Sequence, residues 1–324
     1  MNLFSFFTPE RDLAPVQIIV DRCLRKRLAA SDCRKCTEVC ASGALRLDRR
    51  EIRFEPDHCS SCMRCVAVCP NEALVSRIGM EQIVASLAGR DSVVITCERQ
   101  HPPATEKLVV PCLGLFSPLS LLAVAASGCP NIRFEDRGCD TCRNRTAAEQ
   151  FREALSRSAD AAARLCGTTL ARGSNQDHQE THQGQRRSYL FHLGQTIRLS
   201  SSSRSETWSS EQRSDSASRR RLPLSARLIA GSMQQVDPAT HRLWRDLCGP
   251  RLTITGSCSP CPRCTGICPT GALKRDGRGS AKRLLFNWMR CTSCGLCVSF
   301  CKASAINLQP PPLLDPSQPL PPLA

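Results

Sequence analysis

Residues 59–70 read Cys59-Ser60-Ser61-Cys62-Met63-Arg64-Cys65-Val66-Ala67-Val68-Cys69-Pro70. Cysteines in steps of three, three and four put three thiols on one tight loop and send the fourth away on the element that follows. The spacing returns at Cys258, Cys261, Cys264 and Cys268, and again at Cys291, Cys294, Cys297 and Cys301. Proline follows the fourth cysteine at Pro70 and Pro269, fixing the turn and removing a donor. Ala41 and Lys302 take that place in the other runs. One run is incomplete: Cys33, Cys36 and Cys40 match the last three positions, but Ala30 stands at the first. Cys23, seven residues further upstream, can loop back at small entropic cost. The alternative is a three-thiol set with Cys23 a free core thiol.

Working outward, a cysteine-dense block at 23–75 recurs at 258–306 as an internal repeat. Each run is followed by the same short signature: Gly43-Ala44-Leu45, Glu72-Ala73-Leu74, Gly271-Ala272-Leu273 and Ser304-Ala305-Ile306. Leu45-Arg46-Leu47 and Ile52-Arg53-Phe54 alternate as a small hairpin, and Leu284-Leu285-Phe286 is expected to play the same part in the second block. Thiolates at this spacing suit the irons of a cubane iron–sulfur cluster better than a zinc ribbon.

The blocks resemble the two-[4Fe-4S] bacterial-type ferredoxin family over residues 20–78 and 250–308. The resemblance implies a pseudo-twofold βαβ fold with exchanged fourth ligands. One cluster would take Cys23, Cys33, Cys36 and Cys69, and its partner Cys59, Cys62, Cys65 and Cys40. The C-terminal pair would take Cys258, Cys261, Cys264 with Cys301, and Cys291, Cys294, Cys297 with Cys268. It further implies four [4Fe-4S] clusters, one being [3Fe-4S] if Cys23 is no ligand, in a multi-cluster electron-transfer protein. The partner would be a redox protein or larger oxidoreductase complex. An iron–sulfur accessory or maturation protein for a metalloenzyme is the alternative, and a cluster-containing nucleic-acid-binding protein ranks last.

Between the blocks the pattern changes. Val93 to Thr96, Leu108 to Val110 and Ile132 to Phe134 read as buried strands, Pro118 to Ala126 and Thr146 to Cys166 as helices. Strand and helix in this rhythm predict a small α/β domain. Its cysteines, Cys97, Cys112, Cys139 and Cys142, each fall at or just after a strand and so converge on one end of the sheet. They would hold zinc or a [2Fe-2S] cluster. Their order loosely resembles thioredoxin-like [2Fe-2S] ferredoxins, with a tighter last spacing. A Cys139/Cys142 dithiol, or plain buried thiols, are the other readings. Cys129, Cys166 and Cys248 have no partner by spacing and read as core.

The predicted class is α+β. It comprises a ferredoxin-type module at 1–78, the α/β domain at 79–170, a disordered Ser/Arg/Gln-rich linker at 171–235, a second ferredoxin-type module at 236–310 and a Pro-rich polyproline-type tail at 311–324. Within the linker, Tyr189-Leu190-Phe191 and Leu228-Ile229 could dock locally. Asp237-Pro238 reads as an N-cap with proline at the first helical position. The 324 residues carry 23 cysteines and a formal charge of +15, nearly all from arginine, which steers acidic partners. The N-terminus lacks the pattern of a signal peptide. The apolar run at 109–129 is broken by Pro111, Gly114, Pro118 and Gly128. No membrane span and a reducing cytoplasmic location are therefore expected. No histidine cluster (His178, His182 and His192 lie in the linker), Ser/His/Asp arrangement or phosphate-binding glycine loop stands out, so the chain reads as a carrier without its own substrate site.

Overall fold

The computed structural model describes residues 14–29, 31–49, 51–100, 107–173, 221–233, 236–315 and 317. The middle of the expected linker, with its histidines, lies outside them. The first module runs β1 (Val16–Ile18), α1 (Leu24–Arg27), α2 (Lys35–Glu38), β2 (Leu45–Asp48), β3 (Glu51–Phe54), α3 (Arg64–Val68) and β4 (Leu74–Ser76). The alternation read from the sequence is realised as the β2–β3 hairpin, with Leu45 opposite Phe54 and Leu47 opposite Ile52. The first and last strands close the module as an antiparallel pair, Val16 opposite Ser76.

The middle elements are α4 (Met80–Leu87), β5 (Ser92–Cys97), β6 (Leu108–Val110), α5 (Pro118–Ala125), β7 (Asn131–Phe134), α6 (Arg145–Cys166) and β8 (Thr169–Arg172). The sheet order is β6-β5-β7-β8, and every pairing is parallel. Strands in such a sheet are buried on both faces, which is why Val93 to Cys97 form a run of buried residues without alternation. An all-parallel sheet with helices in its crossovers is the small α/β unit expected for this stretch. The α5 helix starts where Ser117 caps it, its hydroxyl accepting from the Ser120 N–H at 3.2 Å, with Pro118 next. Phe116, Phe134 and Phe151 pack ring to ring between α6 and the sheet. Their centroids lie 5.3 Å (Phe116–Phe134), 6.2 Å (Phe116–Phe151) and 5.1 Å (Phe134–Phe151) apart.

Two further helices follow, α7 (Leu224–Ser232) and α8 (Pro238–Cys248). Asp237 caps α8 as expected, accepting from Ala239 and Thr240 N–H groups at 2.9 and 3.1 Å. The α7 helix lies inside the stretch whose composition marks it as linker, and it buries Ile229. Its cap comes from the first module: the Glu72 carboxylate accepts from the backbone N–H of Leu224 at 2.7 Å and of Ser225 at 3.2 Å. Glu72→Ala should cost about 1–2 kcal/mol. Hydrogen exchange should show faster exchange at the first turn of α7, with α8 unaffected.

The second module repeats the first: β9 (Arg251–Ile254), α9 (Arg263–Ile267), β10 (Leu273–Asp276), β11 (Arg283–Phe286), α10 (Leu296–Ser299) and β12 (Ile306–Gln309). Again the inner strands form a hairpin and the outer strands pair, Leu273 opposite Phe286 and Ile306 opposite Ile254. The two modules differ in how they are buried. The first shares one core with the α/β domain, α7 and α8. The second has a small core of its own around Leu273 and Ile306, and it meets the main core through Trp288 and Met289. A direct bond joins the modules: Arg27 Nε donates to the Ile267 carbonyl at 2.9 Å. The start of the Pro-rich tail is docked, contrary to its reading as an extension. Pro312–Leu314 form a 3-10 turn with Leu313 fully buried, and Arg157 donates to the carbonyls of Pro312, Leu313 and Asp315.

Candidate metal centres

The short helices α3 and α10 begin from left-handed residues, Met63 (φ 60°) and Gly295 (φ 77°). Ser61 (φ 57°) and Ser293 (φ 53°) adopt the same conformation on the other side of the second cysteine. Alternating hand along a backbone turns successive N–H groups inward and makes a nest for negative charge. In the first of these loops the Ser61 N–H donates to Cys59 Sγ at 3.4 Å. Holding a non-glycine residue left-handed costs about 1–2 kcal/mol, so three such residues in two loops mark strain stored at a site.

The signature after each run has a structural reason. Its first residue is left-handed in all four copies: Gly43 (φ 67°), Glu72 (47°), Gly271 (69°) and Ser304 (48°). That reversal brings the next N–H back to the fourth cysteine. Ala73 donates to Cys69 Sγ at 3.2 Å, Ala272 to Cys268 Sγ at 3.2 Å and Ala305 to Cys301 Sγ at 3.4 Å. The four alanines are 0–2% exposed, so a larger side chain has no room there. The aliphatic residue that follows opens a strand in the core.

Several thiols have thiols of the paired run among their neighbours. Burial pushes the Cys36 thiol up to about 12, and the neighbouring thiols of Cys69, Cys33 and Cys23 add to the shift. Burial raises Cys59 as well, with Cys62 and Cys40 as its thiol neighbours, and raises Cys65, which faces Cys62 and Cys59. In the second module burial takes Cys291 to about 12 beside Cys294, Cys297 and Cys268, and Cys297 to about 12 beside Cys294 and Cys268. Cys258 is raised by burial and then by Cys301 and Cys261. Cys268 alone is lowered: burial opposes its ionisation, but N–H groups of Leu273, Thr270 and Ala272 and the Thr270 hydroxyl outweigh it. Pockets that keep most thiols protonated well above neutral pH ionise them against a metal cation, so metal uptake releases protons. Thiols in these loops, apolar walls and N–H donors to sulfur suit the chemistry of a cubane cluster.

Two loops depart from those at 59–65 and 291–297: Arg34, between Cys33 and Cys36, sits at φ −127°, and in the 258–264 loop proline fixes the departure. Pro260 and Pro262 occupy the positions that turn left-handed in the loops at 59–65 and 291–297. Proline holds φ at about −65°, and Pro262 sits at −79°. The 258–264 loop therefore lacks both that backbone reversal and two N–H donors. Among the described residues, Cys261 is the one exposed cysteine.

The α/β cysteines lie at or beyond the carboxyl ends of their strands. Cys97 ends β5, Cys112 follows β6, and Cys139 and Cys142 lie between β7 and α6. Burial pushes Cys112 up to about 12, with the thiols of Cys97, Cys62 and Cys139 adding. It pushes Cys139 to about 11, with Cys97 and Asp136 adding. Asp136 is itself buried and paired with Arg152 and Arg172 at 2.6 and 2.9 Å. Among the described residues no three Cys, His, Asp or Glu side chains close on one point tightly enough to hold a single metal ion.

The neighbourhood of Cys62 and Cys112 is where sequence reading missed residues. Asn144, before α6, donates through Nδ2 to the Ser60 carbonyl at 3.0 Å. Gly114, two residues past Cys112, lies against the Cys62 carbonyl. Glycine after a Pro-Cys pair was the available signal for the second; the first had none. Cys129 and Cys248 are buried as core thiols, and Cys166 is partly buried, with burial raising its thiol to about 12.

The 4Fe-4S dicluster domain family matches this chain twice, at residues 31–73 and 257–306. The chain thus carries a 4Fe-4S dicluster domain near each end, with a parallel sheet between them. Two such domains accommodate up to four [4Fe-4S] clusters, and domains of this kind point to electron transfer. The first match begins after Cys23. No curated protein and no solved structure matches the chain. Among the described residues no helix is long and apolar enough to cross a membrane.

Proposed function

We propose that the chain relays single electrons to or from a larger oxidoreductase. The observation that carries this is the composition of the thiol sets: Cys36 has Cys69 of the other run as a neighbour, and Cys297 has Cys268. Exchange of the fourth ligand is what pairs two cubane sites in one small module. The proposed ligand sets are Cys23, Cys33, Cys36 and Cys69; Cys40, Cys59, Cys62 and Cys65; Cys258, Cys261, Cys264 and Cys301; and Cys268, Cys291, Cys294 and Cys297. Clusters bound there supply one-electron redox change without proton or substrate chemistry. The chain's residues set its conditions: buried alanine N–H groups donate to sulfur, and apolar walls limit water.

Cys97, Cys112, Cys139 and Cys142 form a further proposed metal site, for zinc or a [2Fe-2S] cluster. Support comes from their placement at the sheet's carboxyl edge. Anaerobic potentiometric titration of the purified protein should show several separate one-electron reductions. The same sample should contain about sixteen irons, or about eighteen if the α/β site holds a two-iron centre. A redox-silent protein would refute the relay.

A further inference from the structure

The two modules carry very different surfaces. From β1 to β4 the first has eleven Lys and Arg residues against eight carboxylates. From β9 to β12 the second has nine against one, Asp276, which is already paired with Arg283 at 2.8 Å. An oxidised cubane with four thiolates carries about two negative charges, so two of them leave the second module near +4 and the first near −1. The excess is on the outside: Arg251, Lys274, Arg275, Arg278, Lys282 and Lys302 are all exposed.

Three independent features coincide with that charge. The exposed Cys261 belongs to the set of Cys258, Cys264 and Cys301, on the proline-bearing loop that lacks the inward backbone turn. Arg263, beside Cys264, stacks its guanidinium 5.6 Å over the ring of Phe300, beside Cys301. A cation thus ties together the two segments that bring this set together. Three of the four large apolar residues exposed among the described residues, Ile254, Leu285 and Val298, also lie in this module. A solvent-edge redox site, small apolar contacts and surrounding cations of one sign are what a transient electron-transfer encounter requires. Small interfaces of that kind rely on electrostatic steering for their rate.

We propose that the Cys258/Cys261/Cys264/Cys301 end of the second module is the external docking port, and that its partner is an acidic electron-carrier protein. This rests on the relay reading above. The exposed cations of this module raise the encounter rate with an anionic surface.

The test uses the full-length, cluster-loaded protein, with dithionite as a small reductant and a small acidic bacterial ferredoxin as the carrier probe. Stopped-flow exchange with the ferredoxin should slow about tenfold or more between low salt and about 300 mM salt. The triple variant K274E/R275E/K302E should slow it about fivefold or more at low salt, with iron content and visible spectrum unchanged. The pair R34E/K35E, exposed on the first module, should change it less than about twofold. Salt-independent exchange, a larger effect of the first-module pair, or faster reaction with a basic cytochrome c would overturn the port. So would a result in which the triple variant abolishes salt-sensitive binding to duplex DNA and leaves exchange untouched, since the basic face would then serve nucleic acid. Failure of dithionite to reduce the protein would sink the relay itself, whereas reduction by dithionite with an indifferent carrier would remove only the port.

Discussion

Cys23→Ser should convert one four-iron centre into a three-iron one, seen as a new paramagnetic signal in the oxidised protein near one spin per chain and the loss of about one iron. The reasoning starts from the gap in the spacing at Ala30. A ligand from further upstream needs a chain reversal, and the structure provides it. Cys23 closes a 3-10 turn through its N–H to the Val20 carbonyl at 3.0 Å, and its own carbonyl accepts from Arg27 at 3.1 Å to start α1. Arg25 then holds the returning loop, donating to the carbonyls of Ser31 at 3.0 Å, Cys33 at 3.4 Å and Arg49 at 2.9 Å. The reversal puts the Cys23 thiol among the neighbours of Cys36. Serine preserves the side-chain volume and the turn, so folding should be retained and the readout is confined to one centre. Ala30→Cys in the Cys23→Ser background should restore the four-iron centre, because it rebuilds the spacing of the complete runs. A Cys23→Ser protein with full iron and no new signal would show that Cys23 is a core thiol, and the parent would then carry the three-iron signal itself.

What the sequence made legible was whatever is encoded locally. The cysteine spacing located the loops, and unbroken apolar runs located β5 and β7. The aspartate before Pro238 located a helix start, because capping is a matter of a few adjacent residues. Strand order was not legible, although the strand–helix rhythm anticipated a small α/β unit with a cysteine at or after each strand. Contacts between distant segments were not legible either. Nothing near Glu72 announces that it will sit left-handed in a place where two sister positions hold glycine, or that its carboxylate will cap a helix 152 residues later. Leu313 sits in a proline-rich tail, where composition argues for an extended chain, and only packing against α5 and α8 and the Arg157 donors make it core. Three thiols around Cys36 could be inferred from a repeat; the approach of Cys112 to Cys62 could not, because it depends on how the module docks against the α/β domain.

That docking is most sensitive at one glycine. A Cβ at Gly114 would lie 2.4 Å from the Cys62 carbonyl oxygen and 2.7 Å from Ala147 Cβ. Neither neighbour is the free end of a flexible side chain: one is backbone in a cysteine loop, the other stands on the first turn of α6. Gly114 has no left-handed requirement, so close approach alone demands glycine here. Gly114→Ala should therefore cost about 3 kcal/mol, at the upper end for overpacking a core, and lower the melting temperature by about 6–12 °C. The strain acts on both proposed centres at once, because the Gly114 N–H faces Cys112 while the displaced carbonyl belongs to Cys62. The double variant G114A/A147G tests the cause. Removing the Ala147 methyl relieves one clash and leaves the carbonyl contact, so melting should recover in part only, and the spectrum of the first module should stay perturbed. Full recovery would place the whole constraint on α6 and none on the Cys62 loop. An unperturbed Gly114→Ala protein would mean that the first module and the α/β domain are free to part at this seam.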